Sequence, residues 1–92
     1  MSERVLDNPD ASRYELWLDD RLVGRVDYVR MGGVVVMTHA EVEPELRNRG
    51  LGERLVRSAL EDVAAQGGSV RPLCPFVAAV VRRRPEYRRL LA

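Results

Sequence analysis

From Arg13 to Asp19 apolar and polar positions alternate. Tyr14, Leu16 and Leu18 fall on one side and Arg13, Glu15, Trp17 and Asp19 on the other, the pattern of a half-buried strand. Asp19-Asp20-Arg21 reads as a tight turn, and Leu22–Val29 resumes as a second strand with Gly24 as a candidate bulge. Gly32-Gly33 breaks the chain again. Val34–Val42 is β-branched and nearly uncharged, which predicts a central strand covered on both faces. Short turns between these three segments predict an antiparallel meander. Residues 1–12 are polar, carry the turn signal Asn8-Pro9-Asp10, and read as a loose lead-in.

Pro44 stops the third strand, and from Gly50 the period changes to 3.6. Leu51, Leu55, Val56, Ala59, Leu60, Val63 and Ala64 form one stripe, with Glu53, Arg54, Arg57, Ser58, Glu61 and Asp62 opposite. Glu53 and Arg57 are spaced for an i,i+4 ion pair, and Gly67-Gly68 marks the end of the helix. Ser69–Leu73 is a short strand; with a helix before it, a right-handed crossover lays it parallel to the third strand. Phe76–Arg83 is a second helix, and Pro85 ends it or kinks it into a last piece, Glu86–Leu91. The order β-β-β-α-β-α defines a single α+β domain over residues 1–92.

Composition narrows the function classes. With 46% apolar and 32% charged residues in 92, the chain is that of a folded protein. No apolar run reaches the ~18 residues of a membrane span, and Met1-Ser2-Glu3-Arg4 lacks the apolar core of a signal peptide, so a cytoplasmic location is expected. One cysteine, Cys74, and one histidine, His39, leave neither an internal disulfide nor a cysteine-rich zinc site. Residues 1–46 hold ten acids and five arginines, a net of −5, whereas residues 47–92 hold ten arginines and four acids, a net of +6. A chain that segregates charge this way is suited to meet an anion with its C-terminal half. All fifteen basic residues are arginine. That suits phosphate recognition, although a GC-rich genome gives the same bias.

The stretch Arg47-Asn48-Arg49-Gly50-Leu51-Gly52 joins the third strand to the first helix. Its two glycines let the backbone turn tightly and approach a ligand. The helix that follows presents unpaired N–H groups and the positive end of its dipole, an anion cradle suited to a pyrophosphate. Arg47 and Arg49 flank it with charge-assisted donors. A Walker loop would need a lysine, and a dinucleotide fingerprint would need glycine where Leu55 stands.

Arg47-x-x-Gly50-x-Gly52 resembles the acetyl-CoA signature of the GNAT superfamily of N-acetyltransferases. Thr38-His39-Ala40-Glu41-Val42, Pro44-Glu45, Arg49-Gly50-Leu51-Gly52, Pro72-x-Cys74-Pro75-Phe76-Val77 and Arg84-Pro85-Glu86-Tyr87 are similar to the very small YjdJ-type GNAT-like proteins over roughly residues 10–91. The resemblance implies a mixed, mostly antiparallel sheet splayed around acetyl-CoA. The pyrophosphate would sit on the amides of Gly50, Leu51, Gly52 and Glu53, and the pantetheine arm would run along Glu41 and Val42. The thioester would end between the third strand and Ser69–Leu73. The implied cofactor-binding set is Glu41, Val42, Arg47, Asn48, Arg49, Gly50, Leu51, Gly52, Glu53, Cys74, Phe76 and Arg83.

Acyl transfer from a thioester to an amine requires positioning, removal of a proton and stabilisation of an oxyanion. His39, whose imidazole can carry a proton, is a candidate general base, or a structural histidine within the sheet. Cys74 precedes a helix beginning at Pro75, a place that favours thiolate. It is either an acyl-relay nucleophile with His39 as its base, or a small side chain lining the cleft. The resemblance is incomplete in two respects. Many members carry a tyrosine in the helix after the last parallel strand, where this chain has Val80-Val81-Arg82-Arg83, with Tyr87 lying past Pro85. The pair of helices that shapes the acceptor pocket is also missing, so that pocket is open or is completed by a second copy in a homodimer.

Arg82-Arg83-Arg84 with Arg88 and Arg89 could hold the 3′-phosphate of CoA or form a solvated basic helix end. Phe76 and Tyr87 are too few aromatics for a nucleic-acid stacking platform. The expectation is an acetyl-CoA-dependent N-acetyltransferase acting on a small-molecule or protein amine. The alternatives are a CoA-binding module with little turnover, or an arginine-rich nucleic-acid or protein-interaction domain.

Overall fold

The structure is a computed structural model and describes residues 2–92. Five strands form one sheet in chain order, β1 (Glu3–Asn8), β2 (Arg13–Leu18), β3 (Arg21–Met31), β4 (Val34–Val42) and β5 (Ser69–Pro72). The first four are antiparallel, and β5 runs parallel to β4 after the crossover helix α1 (Leu51–Ala65). Helices α2 (Pro75–Arg83) and α3 (Pro85–Arg88) follow, and single 3₁₀ turns occupy Pro9–Ala11 and Pro44–Leu46.

The polar lead-in is the main correction to the sequence reading. Glu3–Asn8 is a strand paired along its whole length with β2, from Glu3 opposite Leu18 to Asn8 opposite Arg13. Backbone hydrogen bonds hold such an edge strand, so it needs no apolar period. Met1 of that lead-in lies outside the described residues. The last helical piece is also shorter than Glu86–Leu91. After α3 the chain extends along the outer edge of β5, where Val70 N–H donates to Leu90 O at 2.7 Å and Ala92 N–H to Val70 O at 3.1 Å.

Helix α1 ends as its sequence predicts. Gly67 adopts φ +75°, and the N–H groups of Gly67 and Gly68 return to the carbonyls of Ala64 and Val63. Its apolar stripe buries Leu51, Leu55, Val56, Ala59, Leu60 and Val63, while Ala64 is exposed. Glu53 and Arg57 do not pair with each other. Glu53 accepts from Arg83 of α2, and Arg57 donates to the Tyr87 hydroxyl, because α2 and α3 bring partners closer than the next helical turn.

One apolar cluster joins α1, α2 and the inward side chains of the sheet, among them Tyr14, Leu16, Val26, Tyr28, Val35, Met37, Val42 and Val70. Val36 points the other way and lies outside the cluster, so the two helices share one face of the sheet. The opposite face carries Arg13, Glu15, Trp17, Arg25, Asp27, His39 and Glu41, cross-linked by side-chain hydrogen bonds except at His39, which stands 3.7 Å from Glu41. At its centre Glu15 is only 3% exposed and accepts from Arg13, Asn8 and Trp17 at 2.7, 3.0 and 3.1 Å.

Candidate functional site

The site begins with a change of side along β4. Asp27 of β3 pairs with His39 and Tyr28 pairs with Met37, so Thr38 is an extra residue, a β-bulge. An extra residue reverses the alternation of side chains. Val35 and Met37 face the helices before the bulge, and Ala40 and Val42 face them after it. The expectation of a strand covered on both faces therefore holds only for Val35, Val36 and Met37. Thr38, His39 and Glu41 are exposed.

The same residue marks where the sheet parts. β5 pairs with β4 only from Val34 to Met37, whose carbonyl accepts from the N–H groups of both Leu73 and Cys74 at 2.9 and 3.2 Å. Beyond it α2 turns away, and Thr38–Val42 presents an edge with no strand beside it. Arg47 reaches back to this edge, its Nε donating to Val42 O at 3.1 Å.

The loop after β4 bends twice through the left-handed region, at Asn48 (φ +67°) and Gly50 (φ +78°). Asparagine tolerates that conformation and glycine adopts it freely. Gly50 is the N-cap of α1 and supplies no side-chain cap, so the first N–H groups of the helix have no side-chain acceptor at the cap. A Cβ on Gly52 would lie 3.2 Å from the Phe76 ring, so the missing side chain leaves the helix terminus open beside that ring.

These elements enclose a cavity of about 460 Å³. It is lined by Glu41, Val42, Arg47, Asn48, Gly50, Gly52, Glu53, Phe76 and Arg83, all named from the sequence, and by Ala40, Leu46 and Leu55, which were not. Ala40 was readable as the position two before Val42 on one strand face, and Leu55 belongs to the α1 stripe. Leu46 carries no such signal. Across the mouth, Arg83 Nη1 donates to Glu53 Oε1. Glu41 at the rim accepts from Arg25 Nη1 at 3.0 Å, and that guanidinium holds the Glu41 carboxyl below the usual carboxylate range.

Four residues of the expected site lie outside the lining. Leu51 is buried in the core and Arg49 is exposed on the loop. Cys74 is 7% exposed and packs in the apolar cluster where β5 gives way to α2. His39 stands on the helix-free face, half-exposed, with Nε2 3.7 Å from Glu41 Oε1. The structure makes no hydrogen bond between His39 and Cys74, because the bulge turns His39 away from the layer that holds the thiol. Tyr87 is 4% exposed, accepts from Arg57 Nε at 3.1 Å and donates to Glu61 Oε2 at 2.9 Å. Among the described residues no group of three or more histidine, cysteine or acidic side chains could hold a metal ion, and no helix is long and apolar enough to cross a membrane.

Comparison with solved structures gives the same fold. A GCN5-like protein from Staphylococcus aureus superposes with a TM-score of 0.72 at 14% identity, over 97% of this chain and 87% of its own. A ribosomal-protein-S18-alanine N-acetyltransferase from Escherichia coli gives 0.66 at 14% identity, over 90% and 53%. A Bacillus subtilis acetyltransferase in complex with CoA gives 0.62 at 19%, over 77% and 51%. The chain thus spans about half the length of the last two. None of the curated proteins matches it in sequence. The family model of the GCN5-related N-acetyl-transferases matches residues 13–90, nearly the whole chain. The open edge of β4, the glycine-bearing bend and the matched sequence thus coincide, and the chain belongs to the GCN5-related N-acetyl-transferase family.

Proposed function

We propose that the chain binds acetyl-CoA in the 460 Å³ cavity and transfers the acetyl group to a primary amine. One observation carries the reading: a 15-residue helix opens, without a side-chain cap, onto a cavity whose other wall is the unpartnered edge of a strand. Backbone N–H groups at such a terminus bind phosphate oxygens with the helix dipole behind them. An extended amide chain adds to an unpaired strand edge by backbone hydrogen bonds. The donor set therefore fits a molecule with a diphosphate at one end and an amide-bearing arm.

Leu51, Gly52 and Glu53 offer N–H groups to the diphosphate, and Arg47 and Arg83 offer charge. Glu41 and Val42 receive the arm. When bound, acetyl-CoA supplies an acyl carbon activated as a thioester. The chain's task is then to bring an amine from the helix-free face, the one side α1 and α2 leave uncovered. As the nitrogen–carbon bond forms and the carbon–sulfur bond breaks, the amine sheds a proton. His39 takes it, with Glu41 and Asp27 beside the imidazole to stabilise the cation that results. The leaving thiolate takes its proton from water, since the hydroxyl of Tyr87 is engaged by Arg57 and Glu61. Cys74 fills core volume and takes no covalent part.

The test is a titration with CoA followed by amide NMR, with thiol release from acetyl-CoA measured over a panel of amines. Movement of the Arg49–Glu53 signals and amine-dependent thiol release support the reading. Movement without release leaves a coenzyme-binding module. Unmoved signals overturn both.

A further inference from the structure

On the far side of the β4 edge lies a second cavity of about 340 Å³. It shares Glu41, Val42 and Arg47 with the first, and its remaining wall includes Arg13 and Arg25 on the helix-free face and Glu43. Its hydrogen-bonding capacity is unevenly used. Glu41 already accepts from Arg25, and Glu43 accepts from Arg21. The arginines are only partly engaged. Arg13 gives Nε to Glu15, Arg47 gives Nε to Val42 O, and Arg25 gives Nε to Asp27 and Nη1 to Glu41. Among the described residues the terminal nitrogens of Arg13 and Arg47, and Nη2 of Arg25, carry no protein hydrogen bond. Three guanidinium forks with unused donors around one concavity match the planar oxygens of a carboxylate.

The cavity's position gives that carboxylate an owner. Glu41 stands two residues from His39, about 7 Å along an extended strand. A ligand with its anion on the arginines thus places its other end beside His39, Asp27 and Glu41, where an ammonium is favoured. Building on the acetyltransferase reading, we infer that the second cavity holds a carboxylate of the acceptor, so that the substrate class is an amine bearing a carboxylate a few bonds from its nitrogen. The CoA 3′-phosphate is the other anion within reach, and the experiment separates the two.

The test follows the Nε–H signals of Arg13, Arg25 and Arg47 by NMR with CoA present, using 4-aminobutyrate and n-butylamine as probes. The carboxylate-bearing probe moves them and the plain amine does not. In turnover, 4-aminobutyrate exceeds n-butylamine at least tenfold in kcat/KM, and Arg25→Gln removes that advantage through KM. Signals that respond to both probes alike, or to neither, overturn the inference, and this comparison needs no variant to fold. So does movement of the Arg13 and Arg25 signals by CoA but not by dephospho-CoA, which would give the cavity to the coenzyme. Arg49–Glu53 amides unmoved by CoA bring down the acetyltransferase reading and this one with it. Moved amides with Nε–H signals indifferent to 4-aminobutyrate bring down this one alone.

Discussion

Arg83, in the last turn of α2, donates to Glu53, in the first turn of α1, and the pair spans the mouth of the larger cavity. A diphosphate arriving there meets the Glu53 carboxylate as well as the arginine. Glu53→Gln should therefore raise CoA affinity about threefold or more, and Arg83→Gln should lower it by a similar factor, since half-exposed charges act over roughly 0.5–1 kcal/mol. Glu53 also favours the helix terminus it stands on, so its removal should cost about 0.5 kcal/mol of stability. Calorimetric titration and thermal melts read the two effects separately.

Gly50→Ala forces a side chain into the left-handed region at φ +78°. The strain is about 1–2 kcal/mol, which lowers Tm by roughly 4–8 °C per kcal/mol in a domain of this size. Because the bend aims the first N–H groups of α1, CoA affinity should fall about tenfold or more. A variant that melts early yet binds CoA normally would separate the bend from the binding.

His39→Ala should reduce the rate of acetyl transfer by about 10²-fold or more, the usual scale for a lost general base, while CoA affinity stays within twofold. Cys74→Ala should do the reverse. Turnover per folded molecule is kept, and stability drops by about 1–2 kcal/mol from the gap left in the core. Loss of turnover in Cys74→Ala with the fold intact would restore the acyl-relay reading.

Burial pushes the Glu15 carboxyl up, but hydrogen bonds from Arg13, Asn8 and Trp17 outweigh it and hold the group below the usual carboxylate range. A carboxyl depressed by folding adds stability that is present above its unfolded value, near 4.3, and is lost as pH falls through the folded one. Acid unfolding of the native protein should therefore steepen below about pH 4.3. Glu15→Gln should flatten that limb and lower stability at pH 7 by about 1–3 kcal/mol. Urea melts across pH 3–7 check both.

Tyr14 donates its hydroxyl to Asp62 Oδ2 of α1 at 2.6 Å while its ring lies in the core, and burial followed by that bond raises its pKa. Tyr14→Phe leaves Asp62 with the Gln66 side chain as its remaining partner and should cost about 1–2 kcal/mol. Urea unfolding measures it.

The sequence showed what periodicity and spacing can encode. The strands around Leu16, Val26 and Val36, the α1 stripe, its glycine stop and the loop from Arg47 to Gly52 are readable from local pattern, whereas Glu41, Val42, Glu53, Phe76 and Arg83 join the cavity set only through the family resemblance. What escaped depends on pairing. Glu3–Asn8 has no alternation because its partner is the β2 backbone. The bulge at Thr38 leaves no mark, since Thr-His-Ala-Glu-Val alternates as well with it as without it, yet it decides that Met37 and His39, two residues apart, face opposite sides. The second cavity was hidden for a similar reason: Arg13, Arg25 and Arg47 are neighbours only across three elements.

Thr38 thus acts as a residue that the pleat leaves out of its count. Pairing it into a regular ladder, with no bulge, would shift the pleat frame of everything downstream by one step. Ala40 and Val42 would be turned to solvent, and a histidine and a carboxylate would be driven against the oily underside of α1. The skipped position at that single point in the strand is what keeps wet chemistry and dry packing on their separate sides.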